Sequence, residues 1–235
     1  MGKARAIPNK KASLGVANMG KIQVFTEEQR IILAEVKKEP FFEQFYFTGG
    51  TALSAFYLQH RYSEDLDFFT EKKFDNQDVF NLVDSWSKKY SFTFTSESHQ
   101  AVYVFMLSFK NKEVLRVDFG RYPHKRIEEN NIIDGLKTDS LVDIAVNKLL
   151  TVTQRSTVKD FVDLYFLLEK FTIWDIIQGV RIKFRMELEP YILASHFLKV
   201  EDFDYLPKMI KPVEIKDLKA FFRQKALVIG KKSVE

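Results

Sequence analysis

The sequence predicts an α+β fold: a mixed sheet with flanking helices, followed by an all-helical half. Two observations predict it. Between residues 45 and 120, short apolar runs of strand length recur among segments of helical period. From Ser140 onward the period is helical, interrupted at Pro190, Pro207 and Pro212. The expected division is a basic tail at 1–25, a core at 26–137 and a helical C-terminal domain at 138–235.

The elements follow in order. Thr26-Glu27-Glu28-Gln29 has capping-box spacing, and Ile31, Ile32 and Val36 suit a helix that Pro40 ends. The aromatic run Phe45-Tyr46-Phe47 reads as a strand stopped by Gly49-Gly50. Thr51 to His60 reads as a helix, Asp65 to Thr70 as a second strand and Asn76 to Tyr90 as a helix. Three more strands are expected at 91–97, 101–110 and 113–120, the last two joined at Asn111-Lys112 as a hairpin. Leu141, Ile144, Ala145, Lys148 and Leu149 then share one helix, and Phe161, Leu164, Tyr165 and Leu168 the next.

Composition limits the chemistry. With 235 residues, 46% of them hydrophobic, and 23 Phe, the chain can bury a bulky aromatic core. It has no cysteine, which excludes disulfides, thiolate zinc sites and cysteine nucleophiles. His99, His124 and His196 lack the spacing of a histidine zinc site. No apolar run is long enough to span a bilayer, so no membrane partner and a cytoplasmic location are expected. The formal charge is +4, yet residues 1–21 alone hold Lys3, Arg5, Lys10, Lys11 and Lys21 and no acid. The rest is therefore near neutral. A second basic bias, Lys216 to Lys232, reads as a solvated helix face.

The segment FTGGTALSAFYLQHRYSEDLDFFT, Phe47 to Thr70, concentrates the candidate site residues. On a strand, Asp65 and Asp67 project to one face while Leu66 and Phe68 enter the core. Two such carboxylates invite a cation, and Mg²⁺ suits oxygen ligands and phosphates. Taken alone, an Asp-x-Asp is more simply a solvated strand edge. Asp118, in Arg116-Val117-Asp118-Phe119, is a second lone acid in an apolar strand. It would join the pair if its strand lay alongside, or else pair with Arg116 or Arg121. Three carboxylates of this kind can hold two metal ions. Gly49 and Gly50 lie between a strand and a helix start, where backbone N–H groups favour an anion, and the Thr51 hydroxyl could add a bond. Arg61 could hold a phosphate or pair with a carboxylate; His60 reads as structural and Ser63 as a cap. Farther on, Lys148 and Asp160 read as functional, Arg155 and Asp163 as a network joining the two halves.

At these residues the sequence resembles the AbiEii/AbiGii nucleotidyltransferase toxins, the toxin half of type IV toxin–antitoxin systems. The matching pieces are Gly49-Gly50-Thr51, His60 to Phe69, Arg116 to Phe119 and Lys148 to Tyr165, within Phe45 to Leu168. The resemblance implies a polymerase-beta-like core in which Asp65, Asp67 and Asp118 bind metal. It further implies that Gly49, Gly50 and Thr51 cradle a triphosphate, and that Lys148 and Asp160 are later active-site positions. The implied reaction moves a nucleoside monophosphate from an NTP to an acceptor such as a transfer RNA 3′ end. Mg²⁺, two ions by expectation, is the implied cofactor, and a cognate antitoxin the implied partner. Two other readings stand beside it: a small-molecule nucleotidyltransferase of the antibiotic-modifying kind, and a non-catalytic nucleotide- or partner-binding module.

Overall fold

The structure is a computed structural model and describes residues 24–231. The expected basic tail lies outside the described residues as far as position 23. Its last two residues are already packed: Val24 is buried and Phe25 meets Phe56 edge-on at 5.8 Å. Helix α1 (Glu27–Val36) starts at the expected capping box with both reciprocal bonds made, between Thr26 and Gln29. Pro40 opens a 3-10 turn that leads into β1 (Tyr46–Thr48).

The next element differs from expectation. Helix α2 (Gly49–Ala52) runs directly into a π-helical stretch, Leu53–Leu58, rather than continuing as α-helix to His60. The Gln59 N–H reaches back five residues to the Ser54 carbonyl at 2.8 Å, and the Ser54 hydroxyl donates to the Arg61 carbonyl. These bonds widen the turn and end it at Gln59, which is left-handed at φ 49°.

Strand β2 (Leu66–Thr70), helix α3 (Asn76–Tyr90) and strands β3 (Thr93–His99), β4 (Val102–Ser108) and β5 (Val114–Arg121) lie where the sequence puts them, within a few residues. A hairpin of β6 (Asn131–Ile133) and β7 (Leu136–Thr138) was not expected. It turns at Asp134-Gly135, both with positive φ (51° and 71°), as a two-residue hairpin turn requires. The helical half holds α4 (Leu141–Gln154), α5 (Val158–Leu167), α6 (Ile173–Phe184), α7 (Pro190–Leu198) and α8 (Ile215–Lys231). Pro190 starts α7, where its missing N–H costs nothing.

The sheet runs β3-β4-β5-β2-β1-β7-β6. Strands β2 and β5 are parallel, as are β1 and β7, and the other neighbours are antiparallel. One face is apolar: Phe47, Phe68, Phe105 and Phe119 are each almost fully buried. Phe42 stacks on Phe119 at 5.3 Å and meets Trp86 of α3 at 5.6 Å, so the 3-10 turn and α3 close this face. The other face carries Thr48, Asp67 and Asp118 towards α4.

Two buried carboxylates lock α4 in place. Asp143 accepts from the N–H groups of Ile127 and Glu128 and from the Ser140 hydroxyl. It also pairs with Lys183 of α6, both side chains having no exposure. Asp139, just before α4, accepts from the Thr48 hydroxyl at 2.9 Å and donates its N–H to the Phe47 carbonyl. Burial pushes the Asp139 carboxyl up to about 7, only partly offset by Lys183.

Two expectations follow. Removing one partner of a buried pair strands the other charge, so Lys183→Met should cost about 3–5 kcal/mol in urea unfolding. A loss no larger than that of an exposed pair, about 1 kcal/mol, would refute this. For Asp139 the folded state keeps a proton that the unfolded chain releases near 3.8. The stability it allows is fully present below that pH and is lost as pH rises towards 7. Asp139→Asn should abolish this part of the decline, and an unchanged slope of stability against pH from 4 to 7 would contradict it.

Candidate active site

The β2–β5 register builds the centre of the site. Leu66 pairs with Val117 and Asp67 with Asp118, so the two carboxylates are set side by side on one sheet face. Alternation along β2 sends Leu66 and Phe68 into the core, as expected. Asp65 lies just ahead of β2 at the rim, its side chain 39% exposed and 3.8 Å from Lys159. Asp118 accepts a bidentate bond from Arg116, both contacts 2.8 Å. The structure thus brings the three aspartates to one region and also gives Asp118 its arginine partner.

Asp67 is electrostatically the least comfortable of the three. Burial, then Asp118 and Asp65, push its carboxyl up to about 7, against the smaller pull of Lys148 and Arg116. A half-buried acid hemmed in by two others is a place for positive charge. Among the described residues no three acid or histidine side chains gather closely enough to hold a metal ion alone. The donor set suits a hard divalent ion that takes one or two carboxylates and completes its shell with phosphates and water.

The glycine turn fits against these acids from the other side. Strand β1 is antiparallel to β2 with Thr48 opposite Asp67, so the turn begins beside that carboxylate. Gly49 has φ +74°, and a Cβ there would lie 1.9 Å from Asp67 Oδ2. No other residue meets both conditions. A Cβ on Gly50 would lie 2.5 Å from Arg61 Nη2 and 3.0 Å from Ser63 Oγ. The space these glycines free is filled by the protein's own side chains, while both glycines still border the cavity. Thr51 sits elsewhere: it is fully buried and its hydroxyl donates to the Asp65 carbonyl. It anchors the approach to β2 and does not face the cavity.

Arg61, the other candidate phosphate ligand, is only 2% exposed. Its Nε and Nη2 bind the two Asp163 oxygens at 2.6 and 2.9 Å, which is the carboxylate pairing among its two expected roles. His60 Nε2 donates to Asp163 Oδ1 at 2.7 Å, and burial keeps the imidazole pKa low. Lys148 of α4 reaches Asp163 Oδ2 at 2.6 Å and Asp160 Oδ1 at 2.9 Å. Burial would raise the Asp163 carboxyl, but Arg61, Lys148 and His60 outweigh it and hold it well below the carboxylate range. Asp160 is likewise brought down to about 2, chiefly by Lys148 and Arg155 against its burial. Backbone bonds from Ile210 and Lys211 to the His60 carbonyl, and from Tyr62 to Lys208, tie this cluster to the C-terminal half.

Gly49, Gly50, Asp65, Asp67, Asp118 and Lys148 line a cavity of about 510 Å³. Its mouth is basic: Arg155, Lys159 and Arg116 have side chains 62%, 49% and 46% exposed. Phe69, Tyr122 and Asn147 also line it, and sequence reasoning did not select them. Phe69 was within reach of that reasoning, two residues beyond Asp67 and so on the same face. Tyr122 and Asn147 carry no signal without the sheet order and the position of α4.

Comparison with known proteins agrees with this geometry. Residues 31–228 match the family model for the nucleotidyl transferase AbiEii toxin of type IV toxin–antitoxin systems. An uncharacterized protein of Aquifex aeolicus, aq_aa25, is 34% identical over 154 residues, 64% of this chain and 69% of that protein. Among solved structures, JHP933 from Helicobacter pylori superposes with a TM-score of 0.55 at 21% identity, covering 89% of this chain and 94% of that one. MenT4, a nucleotidyltransferase toxin from Mycobacterium tuberculosis, gives 0.51 at 15% identity, covering 85% and 82%. These two likenesses speak for the fold. The family model, which spans most of the sequence, gives the assignment: the chain belongs to the AbiEii nucleotidyl transferase toxins of type IV toxin–antitoxin systems.

Proposed function

We propose that the chain transfers a nucleoside monophosphate from an NTP to the 3′ end of an RNA of the transfer RNA class, with Mg²⁺ as cofactor. The observation that carries this reading is the placement of Asp67 beside Asp118, directly under Gly49 at the head of α2. Acids that invite a cation and a glycine turn at a helix start thereby meet in one cavity.

Asp65 and Asp67 would hold Mg²⁺, and Asp118 a second ion. Bound there, the cation supplies charge neutralisation on the triphosphate. The protein's own groups do the positioning. The Gly49-Gly50 turn would hold the phosphates, and Lys148, which lines the same cavity, is fixed by Asp160 and Asp163. The acceptor hydroxyl oxygen bonds to the α-phosphorus as the bridging P–O bond to the β-phosphate breaks. Pyrophosphate leaves with that oxygen, and the hydroxyl proton passes to a carboxylate, for which Asp118 is the nearest candidate opposite the glycine turn. Catalysis of this kind is mostly orientation and charge stabilisation.

The basic mouth favours a polyanionic acceptor, although the body of the protein is near neutral. Arg116, Arg155 and Lys159 concentrate positive charge where an RNA end would enter. A type IV antitoxin partner follows from the family and belongs to the same proposal.

The test uses purified protein, Mg²⁺, each α-labelled NTP in turn and total cellular RNA. Label should appear on transfer-RNA-sized species, vanish with a chelator and return with added Mg²⁺. Asp65→Asn should lower the rate at least about 100-fold with an unchanged unfolding curve. Label that survives chelation, or a fully active Asp65→Asn enzyme, would overturn the metal assignment. Pyrophosphate release only with small-molecule acceptors would replace RNA as the substrate.

A further inference from the structure

Building on the transfer reaction above, we infer that Phe69 and Tyr122 form a shelf on which the terminal base of the RNA acceptor stacks. Phe69 follows Asp67 by two residues on β2 and therefore projects from the same sheet face. Its ring lies across Gly120 of β5, where a Cβ would stand 2.8 Å from the ring carbons. Tyr122 continues the surface, its ring 5.6 Å away and tilted by 33°. Both rings are partly exposed and both line the active-site cavity. Asn147 of α4 borders them, 3.5 Å from the Tyr122 hydroxyl, and offers a polar group at the edge of a stacked base.

Reaction geometry decides which base uses the shelf. The antiparallel register places the glycine turn beyond Thr48, at the Asp65 end of β2, and Phe69 opposite Tyr46 at the other end. Along β2 the order is thus phosphate-binding turn, carboxylates, aromatic shelf. In-line displacement requires the attacking hydroxyl and the leaving pyrophosphate on opposite sides of the α-phosphorus. Pyrophosphate at the glycine turn sets the acceptor on the Phe69 side. Two strand residues span about 7 Å, enough for one ribose between the carboxylates and a stacked base. Stacking tolerates any base, since each has a π face.

A binding cycle tests this without turnover. A short fluorescent single-stranded RNA ending in adenosine is titrated against the same RNA ending in an abasic ribose. Wild-type protein should favour the first about tenfold. Phe69→Leu, which keeps apolar volume but no ring, should bind the two alike, and Phe69→Trp should restore the preference. ATP with Mg²⁺ should bind Phe69→Leu within about twofold of wild type. An equal base preference in wild type and Phe69→Leu overturns the shelf, as does failure of the wild type to bind RNA. Weakened ATP binding with unchanged RNA binding also overturns it, by giving the rings to the NTP. Because no transfer is needed, loss of the proposed reaction with an intact base–ring coupling would leave the shelf standing, and the reverse result would remove it alone.

Discussion

The site depends on one buried carboxylate, Asp163. From α5 it binds Arg61 through two oxygens, His60 through one and Lys148 through the other. Those three partners come from the segment after the π-helical turn and from α4, so a single group fixes three parts of the chain together. An ionised carboxylate at zero exposure is tolerable only with such company. The converse also holds: Arg61 and Lys148 are nearly as buried and would be costly without Asp163. Arg61, so held, presses its guanidinium under Gly50, and Lys148 is directed to the cavity wall. The geometry of the glycine turn is therefore set from beneath, by an ion cluster that faces away from the solvent.

The same logic, with the sign reversed, describes Asp67. It has burial and two like charges for neighbours and no cation in direct contact, so its proton is held until about pH 7. Gly49 lets the carboxylate lie against the backbone, and the positive φ directs the chain into α2. Asp163 is fully buried and Asp67 half-buried at the cavity, and their electrostatics are opposite. One is satisfied by the fold, and the other is crowded by Asp118 and Asp65.

Much of this was legible in the sequence because it rests on local rules. Alternation gave the facing of Asp65, Asp67 and Asp118, and the Thr26 capping box gave the start of α1. Asp134-Gly135 was legible too, as a two-residue hairpin signal between apolar residues, and should have predicted β6 and β7. Other features were beyond local rules. The glycine pair read as room for a phosphate, yet which atoms crowd Gly49 depends on the β1–β2 register. Thr51 read as a phosphate contact, but its orientation follows from the start of α2 and puts it against the Asp65 carbonyl. Arg61 had two chemically reasonable partners, and only the position of α5 separates them. Asp139, a buried acid bonded to Thr48, gave no signal, because nothing local says that β7 runs beside β1.

The charge pattern supports the proposed place for a cation. Arg61 and Lys148 are engaged by Asp163 and Asp160, Arg155 by Asp160 and Arg116 by Asp118. Cations that already hold carboxylates in a buried network cannot turn fully to a triphosphate without leaving those carboxylates unpaired. A triphosphate bound as proposed would therefore have to bring countercharge of its own. Asp67, crowded by Asp118 and Asp65, would be the place to set it down. The exposed side chains of Lys159, Arg155 and Arg116, each beside an acid, would act at longer range on a polyanion of the kind proposed. Attraction at the rim and neutrality within would divide the work between capture and placement.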